Sequence, residues 1–162
     1  MRSHPNILEL DNILIRGRPE LKDLKVRLAR IEDLDFCSTM DYSHIDKLKL
    51  RREVEEGRVF VAELSGSLVG YLRLEYIWHK VPFISLIIVK EGFRGRGIGK
   101  AMLNFVENYL KAKGYKFLYS SSQANEPGPQ AWHRKMWFEE CGFIAGINEG
   151  GVGEIVFRKK LS

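Results

Sequence analysis

The sequence predicts a mixed α/β (α+β) domain in which a meander of strands precedes one strand–loop–helix crossover. Three observations carry that prediction. Apolar spacing is helical before Gly57, turns into alternating or continuous runs rich in β-branched and aromatic residues up to Val89, and becomes helical again after Gly97. Ser65-Gly66-Ser67 separates two of the strand-like runs with residues suited to a tight hairpin turn. A glycine-rich stretch, EGFRGRGIG, then joins an apolar strand to an amphipathic helix. At 162 residues the chain fits one domain, read as residues 25–162, with residues 1–24 as an N-terminal extension.

In the extension, Pro5 and Pro19 interrupt the pattern, and ILELDNILI alternates well enough for one short strand. KVRLARIEDLDFCSTM begins as a strand and turns helical, with Phe36 and Met40 spaced to share a helical face. DYSHIDKLKLRREVEEG reads as a connector and a polar helix that stops at Gly57, a residue suited to the left-handed position after a helix. RVFVAEL and LVGYLRLEYIW read as two strands of a hairpin. PFISLIIVK is continuous enough for a strand buried on both faces. Ile98, Met102, Phe105, Val106, Tyr109 and Leu110 make one apolar stripe on a helix that Gly114 closes. KFLYSSS is a further strand, followed by a Pro/Gly-marked loop and a helix that includes AWHRKM. EECGFIAGI and EIVFRKKL then pair across NEGGVG. Trp78 and Trp132 read first as core residues.

Composition narrows the function classes. Hydrophobic residues make up 44% of the chain, enough for a proper core, which excludes wholesale disorder. A net charge of +5 suits an anionic partner such as a phosphorylated cofactor. Nucleic acid is disfavoured as that partner, because basic and acidic residues are interspersed and no recognised binding motif occurs. Cys37 and Cys141 are far apart, so a disulfide framework or cysteine zinc site is not expected, and a reducing cytoplasm is the expected location. The first residues lack the long apolar core of a secretory signal, and no apolar run reaches membrane-helix length. The histidines at 4, 44, 79 and 133 show no metal-ligand spacing.

The clearest functional signal lies between Ile87 and Lys100. An apolar strand feeds a loop with glycines at 95, 97 and 99, and a helix follows. Glycines let backbone approach a ligand closely, and the start of a helix offers unpaired N–H groups and a positive dipole end. Together they suit phosphate or pyrophosphate. Arg94, Arg96 and Lys100 raise the local positive potential. A P-loop would need glycine at 94 and serine or threonine at 101, where the chain has arginine and alanine. The dinucleotide fingerprint begun at Gly95 needs glycine at 100 and meets Lys100.

Arg94-x-x-Gly97-x-Gly99 resembles the [Q/R]-x-x-G-x-[G/A] signature of the GNAT superfamily of acetyl-CoA-dependent N-acetyltransferases. The flanking strand ending at Val89 and the helix GKAMLNFVENYL are similar too, as is the element order from Lys25 to Leu161. The resemblance implies the GNAT acyl-CoA N-acyltransferase fold, a twisted, mostly antiparallel mixed sheet of about six or seven strands with about four helices. It implies acetyl-CoA as co-substrate, no metal, and direct transfer of the acetyl group to a primary amine of a small molecule or protein. The pyrophosphate would lie against the amides of Arg94, Gly95, Arg96, Gly97, Ile98, Gly99 and Lys100, and the pantetheine arm along Ile87, Ile88 and Val89. Asn125 resembles a family asparagine that contacts that arm or orders the next helix, and can equally be a plain cap.

The family's usual acid, a tyrosine upstream of a Gly-Phe pair, is replaced here. If Gly142-Phe143 is the pair, Phe138 holds the tyrosine position; if Trp137-Phe138 is the pair, His133 does. The second register leaves EECGFIAGI free to pair with the tail strand and supplies an imidazole near neutral pH, so His133 is taken as the acid. PFISLIIVK holds no carboxylate, which leaves Glu75, with His79 behind it, as the best-placed base. Selectivity is expected from the connector DYSHIDKLKL, with Tyr42 and His44 as candidate lining groups. The alternatives are a transferase using another acyl-CoA and a non-catalytic acyl-CoA-binding sensor. Partners are an amine acceptor and, as the resemblance allows, a second copy in a homodimer; nucleic acid and membrane are not expected.

Overall fold

A computed structural model describes residues 18–162, so the strand expected in ILELDNILI lies outside the described residues. A 3-10 turn over Arg18–Asp23 leads into strand β1 (Leu24–Leu28). Helix α1 (Leu34–Met40) and helix α2 (Lys47–Glu55) follow, the second started by Asp46, whose carboxylate accepts from the amides of Leu48 and Lys49. Then come β2 (Val59–Leu64), β3 (Ser67–Ile77) and β4 (Val81–Val89). Helix α3 (Ile98–Ala112) crosses to β5 (Phe117–Gln123), and helix α4 (Pro127–Lys135) leads to β6 (Glu139–Ile144) and β7 (Glu154–Lys160). The seven strands form one sheet in the order β1-β2-β3-β4-β5-β7-β6. Only β4–β5 is parallel; every other pair is antiparallel.

Alternation along β3 distributes the core. Leu72 and Leu74 enter a cluster with Ile98, Met102, Val106 and Leu110 of α3, while Tyr71 enters a second cluster with Cys37, Leu50 and Val54 of α1 and α2. The two helical layers therefore sit on opposite faces of the sheet. Gly70 permits the close approach of α3: a Cβ there would lie 2.8 Å from the Met102 sulfur and 2.9 Å from the Ala62 Cβ.

Strand β4 packs on both faces, with Ile84 in the α3 cluster and Leu86 in the α1–α2 cluster, and none of its residues is exposed. Two expectations need correcting. Trp78 is not a core residue. It occupies the β3–β4 turn with His79, both at positive φ, and is 82% exposed. The Pro/Gly segment is not a loop before α4 but its first turn, where proline's missing N–H has no helical partner to lose.

Helix α4 ends with Trp137 at φ +68°, the left-handed position where glycine is normally found, and its indole is 81% exposed. Phe138 follows as a buried residue whose amide donates back to the His133 carbonyl at 2.9 Å, so Trp137 and Phe138 together close the helix. A left-handed non-glycine residue costs about 1–2 kcal/mol, and this side chain recovers little of that by burial. Trp137→Gly is therefore expected to raise unfolding stability by about 1 kcal/mol, read as a higher urea midpoint at unchanged slope.

Candidate active site

The parallel β4–β5 pair lasts only two rungs, Phe83–Tyr119 and Ile84–Ser120. Beyond them β4 continues to Val89 and β5 to Gln123 without pairing to each other, so one backbone edge of Ile87, Ile88 and Val89 faces an open notch. At the mouth of the notch lies the glycine loop. Gly95 and Gly97 adopt φ of +75° and +85°, and Gly97 is the residue that precedes α3. The first bond into the helix runs from the Ala101 amide to the Gly97 carbonyl. The amides of Ile98, Gly99 and Lys100 are left without an acceptor among the described residues. Arg94 folds back so that its Nε donates to the Val89 carbonyl at 3.0 Å, which ties the loop to the end of β4. Arg96 lies over the Phe93 ring at 5.5 Å. The Trp132 indole approaches Gly99, so this tryptophan packs beneath the loop as well as against the core. Asn125 is exposed, makes no hydrogen bond among the described residues, and is not the helix cap, which is Glu126.

On the α4 side, His133 is 4% exposed, not displayed on an open helix face. Its ring stacks on Phe157 at 4.6 Å and meets Trp132 and Phe138 edge-on. Nδ1 is 2.7 Å from the Pro129 carbonyl and Nε2 2.7 Å from the Ser120 hydroxyl, at the last rung before the notch. A carbonyl can only accept, so Nδ1 carries the proton and Nε2 accepts from Ser120. Burial lowers the His133 pKa below its ordinary value, against the Pro129 bond, which raises it. The Ser122 hydroxyl, further along β5, is buried without a partner.

On the opposite face, a cleft of about 390 Å³ is lined by Ser43, Ile45, Lys49, Arg73, Glu75, Phe83 and Ser85. Ser85 is the extra residue where the β3–β4 register shifts, and its hydroxyl is buried and unpartnered. The floor is a charged network. Arg73 donates through Nε to Asp41 at 3.0 Å, through Nη1 to Glu75 at 2.8 Å and through Nη2 to Ser43 at 3.2 Å. Tyr71 donates to the same Asp41 oxygen as Arg73 at 2.7 Å, and Ser43 donates to the other Asp41 oxygen through both its amide and its hydroxyl. Burial alone would raise the Asp41 pKa, but the bonds from Ser43, Tyr71 and Arg73 outweigh it and hold the carboxyl below the ordinary carboxylate range.

Glu75 therefore does line the cleft, one oxygen held by Arg73 and its side chain 55% exposed. Tyr42 and His44 do not line it; their neighbours Ser43 and Ile45 do, while Tyr42 is 65% exposed and His44 is exposed at φ +57°. Sequence reasoning missed Asp41, Ser43, Arg73 and Ser120. The signal for Arg73 was its place inside the apolar run LVGYLRLEYIW, where an arginine on an inward row requires a buried anion. Burial pushes the Cys37 thiol up to about 12, which removes it as a nucleophile; Cys141 is exposed and its thiol is also raised by partial burial. No group of three or more metal-ligating side chains occurs among the described residues, and no helix there is long and apolar enough to cross a membrane.

The family model described as "Acetyltransferase (GNAT) family" matches residues 27–144. An uncharacterised N-acetyltransferase of Methanocaldococcus jannaschii is 46% identical over 102 residues, which are 62% of this chain and 65% of that protein. The streptothricin acetyltransferase of Streptomyces lavendulae is 30% identical over 105 residues, 63% of this chain and 55% of that protein. The chain thus spans less than two thirds of the length of these curated relatives. Among solved structures, a GNAT-family acetyltransferase of Bacillus cereus superposes with a TM-score of 0.72 at 24% identity. That match covers 86% of this chain and 98% of the other, and it shows the fold.

Two acid-sensitive steps in stability are expected. Asp41 and His133 both have folded pKa values below their ordinary 3.8 and 6.5. In each case the unfolded chain binds the proton first on acidification. Each contribution is thus complete above the ordinary value and lost as pH falls through the folded one. Urea midpoints against pH should show a loss beginning near pH 6.5 that His133→Gln removes. A further loss below pH 3.8 should shrink in Asp41→Asn. At pH 7 Asp41→Asn is expected to cost about 3 kcal/mol, because it strands the buried Arg73 charge.

Proposed function

The chain belongs to the GNAT acetyltransferase family, and from that premise we propose that it moves an acetyl group from acetyl-CoA directly to a primary amine of a small molecule or protein. The observation that carries the reading is the alignment of the two-rung β4–β5 splay with the unpaired amides of Ile98, Gly99 and Lys100 at its mouth. A CoA pyrophosphate fits that mouth, because it accepts hydrogen bonds and carries negative charge where amides, a helix dipole, Arg94 and Lys100 offer their complements. The residues that would hold it are those from Arg94 to Lys100. The open edge of Ile87, Ile88 and Val89 would take the pantetheine amides, and Asn125 is free to join them.

In this reading the amine enters the cleft on the α1–α2 face. Glu75 orients it and takes up its proton, directly or through water, on the oxygen that Arg73 leaves open. A new N–C bond forms as the C–S bond breaks, and the thiolate must gain a proton. A backbone N–H near Val89 polarises the thioester carbonyl. His133 supplies the thiolate's proton only when its ring is protonated, because the neutral tautomer accepts from Ser120 at Nε2. Its contribution therefore declines as pH rises through its lowered pKa. Neither cysteine needs to act. The homodimer that the resemblance allows would use the β6 edge, where all six residues are exposed and Phe143 and Ile144 stand among them. A reducing, cytoplasmic setting fits two free cysteines.

Thiol release from acetyl-CoA in the presence of an amine panel tests the reading. Turnover that Glu75→Gln lowers by about a hundredfold or more is expected. In His133→Gln the decline of turnover as pH rises through the lowered histidine pKa should vanish; an unchanged profile would leave His133 a positioning residue. Acetyl-CoA binding without thiol release for any amine would favour the acyl-CoA sensor instead. Faster release from a longer acyl-CoA would favour the other transferase.

A further inference from the structure

The sheet register connects the acceptor cleft to a second hollow. Glu75 on β3 pairs with Phe83 on β4, Phe83 with Tyr119 on β5, Tyr119 with Arg158 on β7, and Arg158 with Glu139 on β6. Paired residues project from the same side of a sheet, so these five form one row. The row lies on the face opposite Leu74, Ile84, Ser120 and Phe157, which point into the α3–α4 layer. Helices α1 and α2 pack only over the β2–β4 half of this face. Past Phe83 the row is open: Tyr119 is half-covered, and Arg158 and Glu139 are exposed.

At its far end is a hollow of about 340 Å³ lined by Phe117, Trp137, Glu139, Arg158, Lys159 and Lys160. Arg158 lies over the Phe117 ring at 5.2 Å and forms no ion pair among the described residues; Lys160 is exposed beside it. Lys159 is already paired with Glu107 at 2.7 Å. Against Arg158 and Lys160 stands one carboxylate, Glu139, so the hollow presents net positive charge with aromatic walls.

We propose that this row is an acceptor track, and that the acceptor is an extended polypeptide whose amine enters the Glu75 cleft while an acidic side chain further along docks at Arg158. The inference rests on the acetyltransferase reading above and names the acceptor class for the same site. Its occupant follows from continuity with the cleft and from charge. A small amine would fill the first cleft and leave the second unused. Three strand steps separate Glu75 from Arg158, about 14 Å, which an extended chain crosses in about four residues. The track also gives the exposed Trp137 indole a role as a wall of the second hollow.

The test uses synthetic decapeptides with a free N-terminal amine that differ only in carrying Glu, Ala or Lys at one position, scanned along the peptide. Thiol release should give the lowest KM for Glu near the fifth residue, at least about threefold below Ala, with Lys worst. Arg158→Glu should invert the order of Glu and Lys peptides. Lys111→Glu, the same charge change on the exposed side of α3, should keep the wild-type order. Turnover of short amines with equal KM for all three peptides, or an order that Arg158→Glu leaves unchanged, would overturn the track and leave the acetyltransferase reading standing. No turnover of any amine would overturn that reading and the track with it. A dimer in sedimentation that Arg158→Glu dissociates would assign the face to a second copy and overturn the proposal.

Discussion

The two-rung pairing of β4 with β5 is the constraint on which the rest of the structure depends. A parallel pair reached through a helical crossover could extend along both strands; here it stops at Ile84–Ser120, and different elements hold the strands beyond it. Strand β4 stays bound to β3 as far as Val89–Gly70, and Arg94 secures the Val89 carbonyl. Strand β5 stays bound to β7 as far as Gln123–Glu154, while His133 secures Ser120 at the last shared rung. Each strand keeps its outer partner, so the gap between them costs no unpaired backbone beyond the edge that faces it. The crossover helix starts at the same gap, which brings its free amides there without any further device.

The second feature is electrostatic. Asp41 and Arg73 lie 32 residues apart and are both buried, an arrangement that contributes little net stability as a pair but is destabilising by several kcal/mol when one partner is lost. Its value here is positional. Asp41 caps the end of α1 and holds Ser43 of the connector, while Arg73 extends along β3 to Glu75. The connector, the strand and the carboxylate at the rim of the cleft are thereby fixed to one another through a single guanidinium.

Much of the element order was legible because its signals are local. Ser65-Gly66 supplied a two-residue turn, with both residues at positive φ, and the stripe from Ile98 to Leu110 faces the core as its spacing requires. The glycine loop was legible for the same reason. The floor of the cleft was not, since an ion pair spanning 32 residues leaves no local trace in a run such as YLRLE. Ser43 and Ile45, not Tyr42 and His44, line the cleft, and the sequence does not display this because side-chain direction alternates predictably only in regular strands. His44 at φ +57° breaks any parity in the connector. Trp78 misled because bulk and apolarity normally mean burial, whereas a tight turn put this residue outside. The acceptor row depends on register across five strands, which the sequence does not display.

Backbone hydrogen exchange with and without saturating acetyl-CoA tests the role of the β4–β5 gap most directly. Exchange should slow at the amides of Ile98, Gly99 and Lys100 and along Ile87–Val89, with no change on the outer strand β6. Protection confined to the hollow beside Arg158, or none at the loop and the open β4 edge, would contradict that role.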